Sequence, residues 1–256
     1  MPMQNHEKLY DADFFQTLAI ESLPSAKVIA KIACDLFQPR SVIDLGCGVG
    51  AWLAAFQELG LKDILGIDGD YVNPERLLID RANFRAIDLA RPFQISEKFD
   101  LAVCVEVAEH LPARCSKQLV QALTRAAPLV LFSAAIPGQG GVGHVNEQWP
   151  DYWRTLFAAE GFTMFDPIRP RIRDNQAISW WFRQNVVIFA SRQAVKKFDT
   201  LAAEADAESI EWIHISAVRN ALQRNRRFRD RLLSLPGAIH IWKVVRPWIR
   251  RNYTHK

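Results

Sequence analysis

The sequence predicts an α/β domain on a mostly parallel seven-stranded sheet with helices on both faces, followed by a basic helical extension. Three observations predict this. Short, unbroken apolar runs recur along the chain, as strands buried on both faces require. The first, at 41–45, enters a glycine-rich turn and then a helix-forming run. Helical segments are expected between the first five strand runs, as parallel crossovers demand. The boundary is placed at residue 200, with a domain over 1–200 and an extension over 201–256.

Composition sets the outer bounds. With 256 residues, 49% of them hydrophobic, the chain is ample for one core plus extensions. Cys34, Cys47, Cys104 and Cys115 form no CxxC pair and no metal-finger spacing. That usage suits a reduced, cytoplasmic protein. The start has no basic-then-apolar leader pattern, and no apolar run is long enough to span a bilayer.

The elements follow in order. Residues 11–22 and 25–37 carry apolar side chains at helical spacing, with Pro24 between them and Pro39 after them. Packing on the sheet is the main expectation, with Tyr10 and Phe14 as candidate pocket walls. Then comes SVIDLGCGVGAWLAAF, 41–56. Glycine lets this turn take positive φ and leaves room for a ligand, and the following helix presents free N–H groups. The next strands are 63–68, ending in Asp68, and 84–89, containing Asp88. A fourth at 99–105 is followed at once by Glu106, Glu109 and His110. After Pro112 comes a helix over 114–126, then a strand over 129–135. The glycine-rich loop IPGQGGVGHVNEQWP follows, and a loop that long in a compact domain is usually functional or mobile. Pro150 suits the first turn of a helix that Gly161 closes. The last two strands, 162–168 and 185–190, bring an antiparallel partner to one edge. Between them lie Trp180-Trp181 and Arg169, Arg171 and Arg173, which alternate as on one extended face. Solvent or an anionic group would meet that face.

The turn is not the dinucleotide fingerprint. It reads Gly-x-Gly-x-Gly, with Ala51 at the third dinucleotide glycine. Asp44, two residues before Gly46, would repel a pyrophosphate and suits a cationic ligand. VIDLGCGVG resembles motif I of the class I S-adenosylmethionine-dependent methyltransferases, and the resemblance extends over about 10–192. It implies a Rossmann-like seven-stranded sheet and S-adenosylmethionine as cofactor. The implied cofactor residues are Asp44, Gly46, Cys47, Gly48, Gly50, Asp68, Asp88, Leu89 and Glu106. Asp68 would take the ribose hydroxyls, with Asp70 as the alternative by a small register shift, and Asp88 the adenine amino group.

Methyl transfer needs alignment, exclusion of water and an outlet for the acceptor's proton. If the chain turns helical after Val105, Glu106, Glu109 and His110 share one face, and His144 joins them from the next loop. His144, His110 and Glu109 are therefore the catalytic candidates. The run Glu-x-x-Glu-His is similar to that of two groups of metal-dependent O-methyltransferases, one acting on catechol-type rings and one on the 2′-hydroxyl of small RNAs. That resemblance implies Glu106, Glu109, His110 and His144 as ligands of Mg, Mn, Fe or Zn. A metal-free site with His144 as general base stands beside it.

The tail is a separate matter. From 217 to 256 there are eleven Lys and Arg against one acid, Asp230, inside a chain of net charge +4. Interleaved Trp, Ile, Lys and Arg suit an anionic membrane surface, which would place the protein at the inner face of the membrane. Packing on the domain or another subunit is the second reading, and RNA the third. The sequence points to O-methylation of a small molecule, sugar or lipid-linked glycan. The alternatives are an RNA 2′-O-methyltransferase and a non-catalytic cofactor-binding scaffold.

Overall fold

The longest doubly buried runs take the middle of the sheet. The computed structural model describes residues 12–198. Its strands are β1 (Ser41–Leu45), β2 (Asp63–Asp68), β3 (Phe84–Ala86), β4 (Leu101–Val105), β5 (Leu129–Ser133), β6 (Phe162–Phe165) and β7 (Val187–Ser191). They lie in the order β3-β2-β1-β4-β5-β7-β6. β1, β4 and β5 are buried along their whole length and are the three central strands. β1 to β5 are parallel throughout. The antiparallel strand is β7, one place in from the edge, with β6 outermost.

The helices are α1 (Ala12–Phe37), α2 (Ala51–Glu58), α3 (Ser116–Ala126), α4 (Pro150–Ala159), α5 (Arg169–Ile172), α6 (Trp180–Asn185) and α7 (Arg192–Lys197). Strand alternation sorts the core into two clusters. Val42, Leu101, Val103, Leu131 and Ile188 meet Ile29 and Phe37 of α1 and Phe56 of α2. Ile43, Cys104, Val130, Phe132 and Phe189 meet Leu119 and Leu123 of α3 and Phe157 of α4. Each such side chain contributes about 1.5–3 kcal/mol by burial.

The structure departs from the sequence reading in four places. The N-terminal helices are one, and Pro24 lies inside it. An interior proline costs about 3 kcal/mol, but Pro24 is exposed, and α1 is anchored beyond it by Ala26, Ile29, Ala30 and Ala33, all fully buried. No α-helix forms between β2 and β3, where only two short 3₁₀ turns stand, or between β3 and β4. Pro74 and Pro92 interrupt those segments. β3 ends at Ala86, before Asp88. Finally, 169–185 forms two short helices joined by a turn rather than an extended stretch. Arg169 is buried on Asp166 at 2.7 Å, Arg171 donates to the Pro167 carbonyl and Arg173 pairs with Asp174. The three arginines thus have no common face, because Pro170 sits well in a first helical turn.

Among the described residues no helix is long and apolar enough to cross a membrane. Tyr10, the Phe14 side chain, the boundary at 200 and the basic extension lie outside the described residues.

One stack should dominate stability on the α4 face. Phe157 lies parallel to Phe189 with centroids 3.7 Å apart, and Phe132 meets both edge-on. Phe157→Ala is expected to cost about 3–5 kcal/mol in urea unfolding. Thr163→Ala, exposed on β6, should stay within about 0.5 kcal/mol.

Candidate active site

The site begins where β1 and β2 end. Gly46, Gly48 and Gly50 all have positive φ, at 85°, 52° and 86°. At Gly46 a side chain is excluded twice over, since a Cβ would also lie 2.4 Å from Val107 Cγ2. The space beside this glycine is therefore filled by the chain itself. The amides of Gly46 and Cys47 donate to the Ile67 carbonyl, fixing the turn against β2. Cys47 packs under Gly66, its thiol pushed well up by burial and by Asp68 and Asp44.

Two carboxyls sit behind that turn, and they differ. Asp68 accepts from the Gly48 amide at 2.6 Å, the Gly69 amide at 2.7 Å and the Tyr71 hydroxyl at 2.5 Å. Burial raises its pKa and these donors pull against the rise. Asp44 is 1% exposed, and its Oδ2 has no hydrogen-bond partner among the described residues. Burial, then the charge of Asp68, pushes it well above the carboxylate range. An orphaned, desolvated acid favours a cation or a strong donor. Asp70 is exposed and makes no part of this arrangement. Asp88 lies in an exposed turn, bonded to the Ala90 amide and paired with Arg91, while Leu89 is buried.

The second half begins at Glu106, a non-glycine residue with φ 54°. That conformation diverts the chain, and a turn rather than a helix follows β4. The expected common face for Glu106, Glu109 and His110 is thus not formed. Glu106 turns to the α6 side, taking Ser133 Oγ at 2.8 Å, Gln139 Nε2 at 2.9 Å and Asn185 Nδ2 at 3.1 Å. Glu109 is fully buried and neither carboxyl oxygen makes a well-formed hydrogen bond among the described residues. Burial and the neighbouring Glu106 push its pKa well up.

His110 and His144 meet edge to face, ring centroids 4.9 Å apart. Burial, with the charge of His144, lowers His110 to about 4 against the Gly143 backbone bond that raises it. His110 is neutral at ordinary pH. Ligand atoms of Glu109, His110 and His144 lie within 4.8 Å of one another. Three of the four expected metal ligands therefore converge, and Glu106 does not join them.

His144 Nδ1 lies 3.0 Å from Glu147 Oε1. Glu147 also accepts from the amides of Gly140 and Gly138, at 2.8 and 2.7 Å. Burial would raise this acid, but the His144 and glycine bonds outweigh it and hold it below its ordinary value. The glycine-rich loop is thus wrapped around one ionised carboxylate. Nε2 of His144 is the nitrogen left for other chemistry. The sequence reading missed Glu147, Gln139, Asn185 and Tyr71. Glu147 was within reach, three residues from His144, whereas Asn185 is 79 residues from Glu106 and gave no signal.

The sequence matches the model of the methyltransferase-domain family over residues 20–185. No curated protein matches it. Among solved structures it is similar to an O-methyltransferase family protein from Burkholderia thailandensis, with TM-score 0.53 and 16% identity over 70% of this chain and 58% of that one. The chain therefore spans less than two thirds of that relative's length. It is also similar to the sugar N-methyltransferase KedS8 from Streptoalloteichus, with TM-score 0.55 and 14% identity over 72% and 93% of the two chains. A third is DesVI from Streptomyces venezuelae, with TM-score 0.53 and 14% identity over 73% and 98%. At these identities the likeness bears on the fold alone.

Asp44 makes a pH dependence testable. Unfolded, an aspartate titrates near about 3.9, and in the fold its pKa stands well above that. Between the two values the folded chain keeps a proton that the unfolded chain has released. Stability therefore falls as pH rises through that window, by up to about 1.4 kcal/mol per unit for this group. Urea midpoints of the ligand-free protein from pH 4.5 upward should show the decline, and Asp44→Asn should make it shallower, with Asp68 and Glu109 supplying the part that remains.

Proposed function

We propose that this chain, which belongs to the methyltransferase-domain family, moves the methyl group of S-adenosylmethionine to a hydroxyl of a small molecule, sugar or lipid-linked glycan. The observation that carries the reading is the pair of acids at the ends of β1 and β2. The orphaned, buried Asp44 fits an α-amino group, and Asp68 fits ribose hydroxyls once the Tyr71 hydroxyl yields its place. Bound there, S-adenosylmethionine supplies a methyl group already activated on a sulfonium.

The chain's own residues do the rest. Glu147 holds Nδ1 of His144, so that Nε2 takes the acceptor's hydroxyl proton, and the charge formed on the imidazole is opposed by the Glu147 carboxylate. His110 stays neutral and fixes the His144 ring by its edge-on contact. Glu106, tied to three donors, braces the floor between β4 and α6.

A second reading rests on Glu109, whose buried oxygens lack well-formed partners beside two imidazoles. That donor set fits a divalent cation, with Glu147 orienting His144 from behind. A cation held there would act as a Lewis acid on the acceptor oxygen.

The test uses methyl-labelled S-adenosylmethionine with lipid, RNA, protein and small-molecule fractions, each with Mg or Mn and with chelator. Label is expected in the small-molecule or lipid fraction. His144→Gln should cut turnover about 100- to 10,000-fold with donor affinity unchanged. Loss of label with chelator would assign Glu109, His110 and His144 to a metal. Label in RNA would overturn the acceptor class. Donor binding without label transfer, indifferent to His144, would leave a scaffold.

A further inference from the structure

A cavity of about 340 Å³ opens beside the site, between the N-terminal turn of α4 and the β5-β7-β6 side of the sheet. It touches none of Asp44, Asp68, Glu109 and His144. It meets the site through Gln148 and Asn185, which line it. Asn185 also donates to Glu106 and Gln139, and Gln148 to Asn146, so both amides are fixed from behind. Trp149, 45% exposed, stands at the entrance.

The deeper wall is Phe132, Met164, Val187 and Phe189, all buried. Asp151, Arg169 and Gln184 also line the cavity, and they are engaged with Arg154, Asp166 and Asn185. Trp153 lines the cavity and is 3% exposed, and its Nε1 is buried with no hydrogen-bond partner among the described residues. A buried donor left unpaired costs about 1–3 kcal/mol. The other ring atoms of Trp153 pack on Phe132 and Tyr152, so the N–H is the unsatisfied feature of a packed residue.

We propose that this cavity is the acceptor pocket and that it takes a phenol-type aromatic ring carrying a second oxygen, which accepts the Trp153 N–H. The inference rests on the methyltransferase reading and narrows its acceptor. The volume lies at the small end of ligand sites, suited to a ring system and too small for a polymer segment. The wall decides between a sugar and an arene. A pyranose would bring several hydroxyls against the wall of Phe132, Met164, Val187 and Phe189, and each hydroxyl left unmatched there costs binding energy. An aromatic ring needs only apolar contact and one acceptor atom. Its hydroxyl end would face Gln148 and Asn185, toward the catalytic side.

Two probes and two variants test this, with binding followed by calorimetry. 4-Hydroxyacetophenone has the second oxygen, and 4-ethylphenol has the same outline without it. Both should bind the full-length protein, the ketone more tightly. Trp153→Phe should weaken the ketone about fivefold to tenfold and leave 4-ethylphenol unchanged. Ala134→Phe, which grows a ring from the cavity wall, should weaken both at least tenfold. S-adenosylmethionine affinity and melting temperature are measured on every variant. If Ala134→Phe fails to fold, the contrast between probes on Trp153→Phe decides alone. Binding of neither phenol, equal loss of both on Trp153→Phe, or preferential binding of methyl glucoside would overturn the pocket assignment. Absence of S-adenosylmethionine binding would instead sink the methyltransferase reading, so the two failures are distinguishable.

Discussion

Desolvated carboxyls at the carboxyl ends of parallel strands are the constraint on which the rest of this structure depends. The buried Cys104 thiol is pushed up by burial and, after it, by Asp44, Glu109 and Asp68 together. Three acids thus crowd one edge of the core. Water would relieve them at once, and the fold denies it. Strands flanked by two apolar clusters leave no solvent path from below. Asp68 is compensated by three donors, but Asp44 and Glu109 keep oxygens without good partners. A fold carries such a cost when a ligand later removes it.

The same logic explains the loop after β5. Three glycines in positive φ, Gly138, Gly140 and Gly143, would leave an ordinary loop loose. Here two of their amides and His144 converge on Glu147. Gln139 reaches Glu106, and the amides of Val145 and Asn146 bond the Glu109 carbonyl. The loop is held at both ends of the turn after β4, by the Glu106 carboxylate and the Glu109 main-chain carbonyl, so His144 is placed by a network rather than by helix or strand.

What could be read in the sequence follows from the range of the forces involved. β1, α2 and β2 carry their signals within a few residues, and so did Asp44, Asp68 and the glycine turn. Glu109, His110 and His144 were found by type and nearness to strand ends. The error lay in the backbone, because the positive φ of Glu106 is a local strain with no mark in residue type. Pro24 misled because tertiary packing overrode a local preference, and the arginines at 169–173 because Pro170 sits in a first helical turn that ends their alternation. Asn185 and the cavity were beyond reach, since their partners come from strands far apart in sequence.

The division of labour between the two halves then has a physical basis. The proposed donor side is built from backbone turns and acids on β1 and β2, elements fixed by short-range sequence. The proposed acceptor side is built from long-range contacts among β5, α4, α6 and β7. Asn185 couples the halves, since one amide bonds both Glu106, at the end of β4, and Gln139, in the loop that carries His144. A change in the 166–185 segment can therefore reshape the cavity while Asp44 and Asp68 stay where β1 and β2 put them. On the proposed reading, acceptor choice can diverge in this architecture without disturbing the cofactor end, because the buried acids answer to the sheet and the cavity answers to what is packed across it.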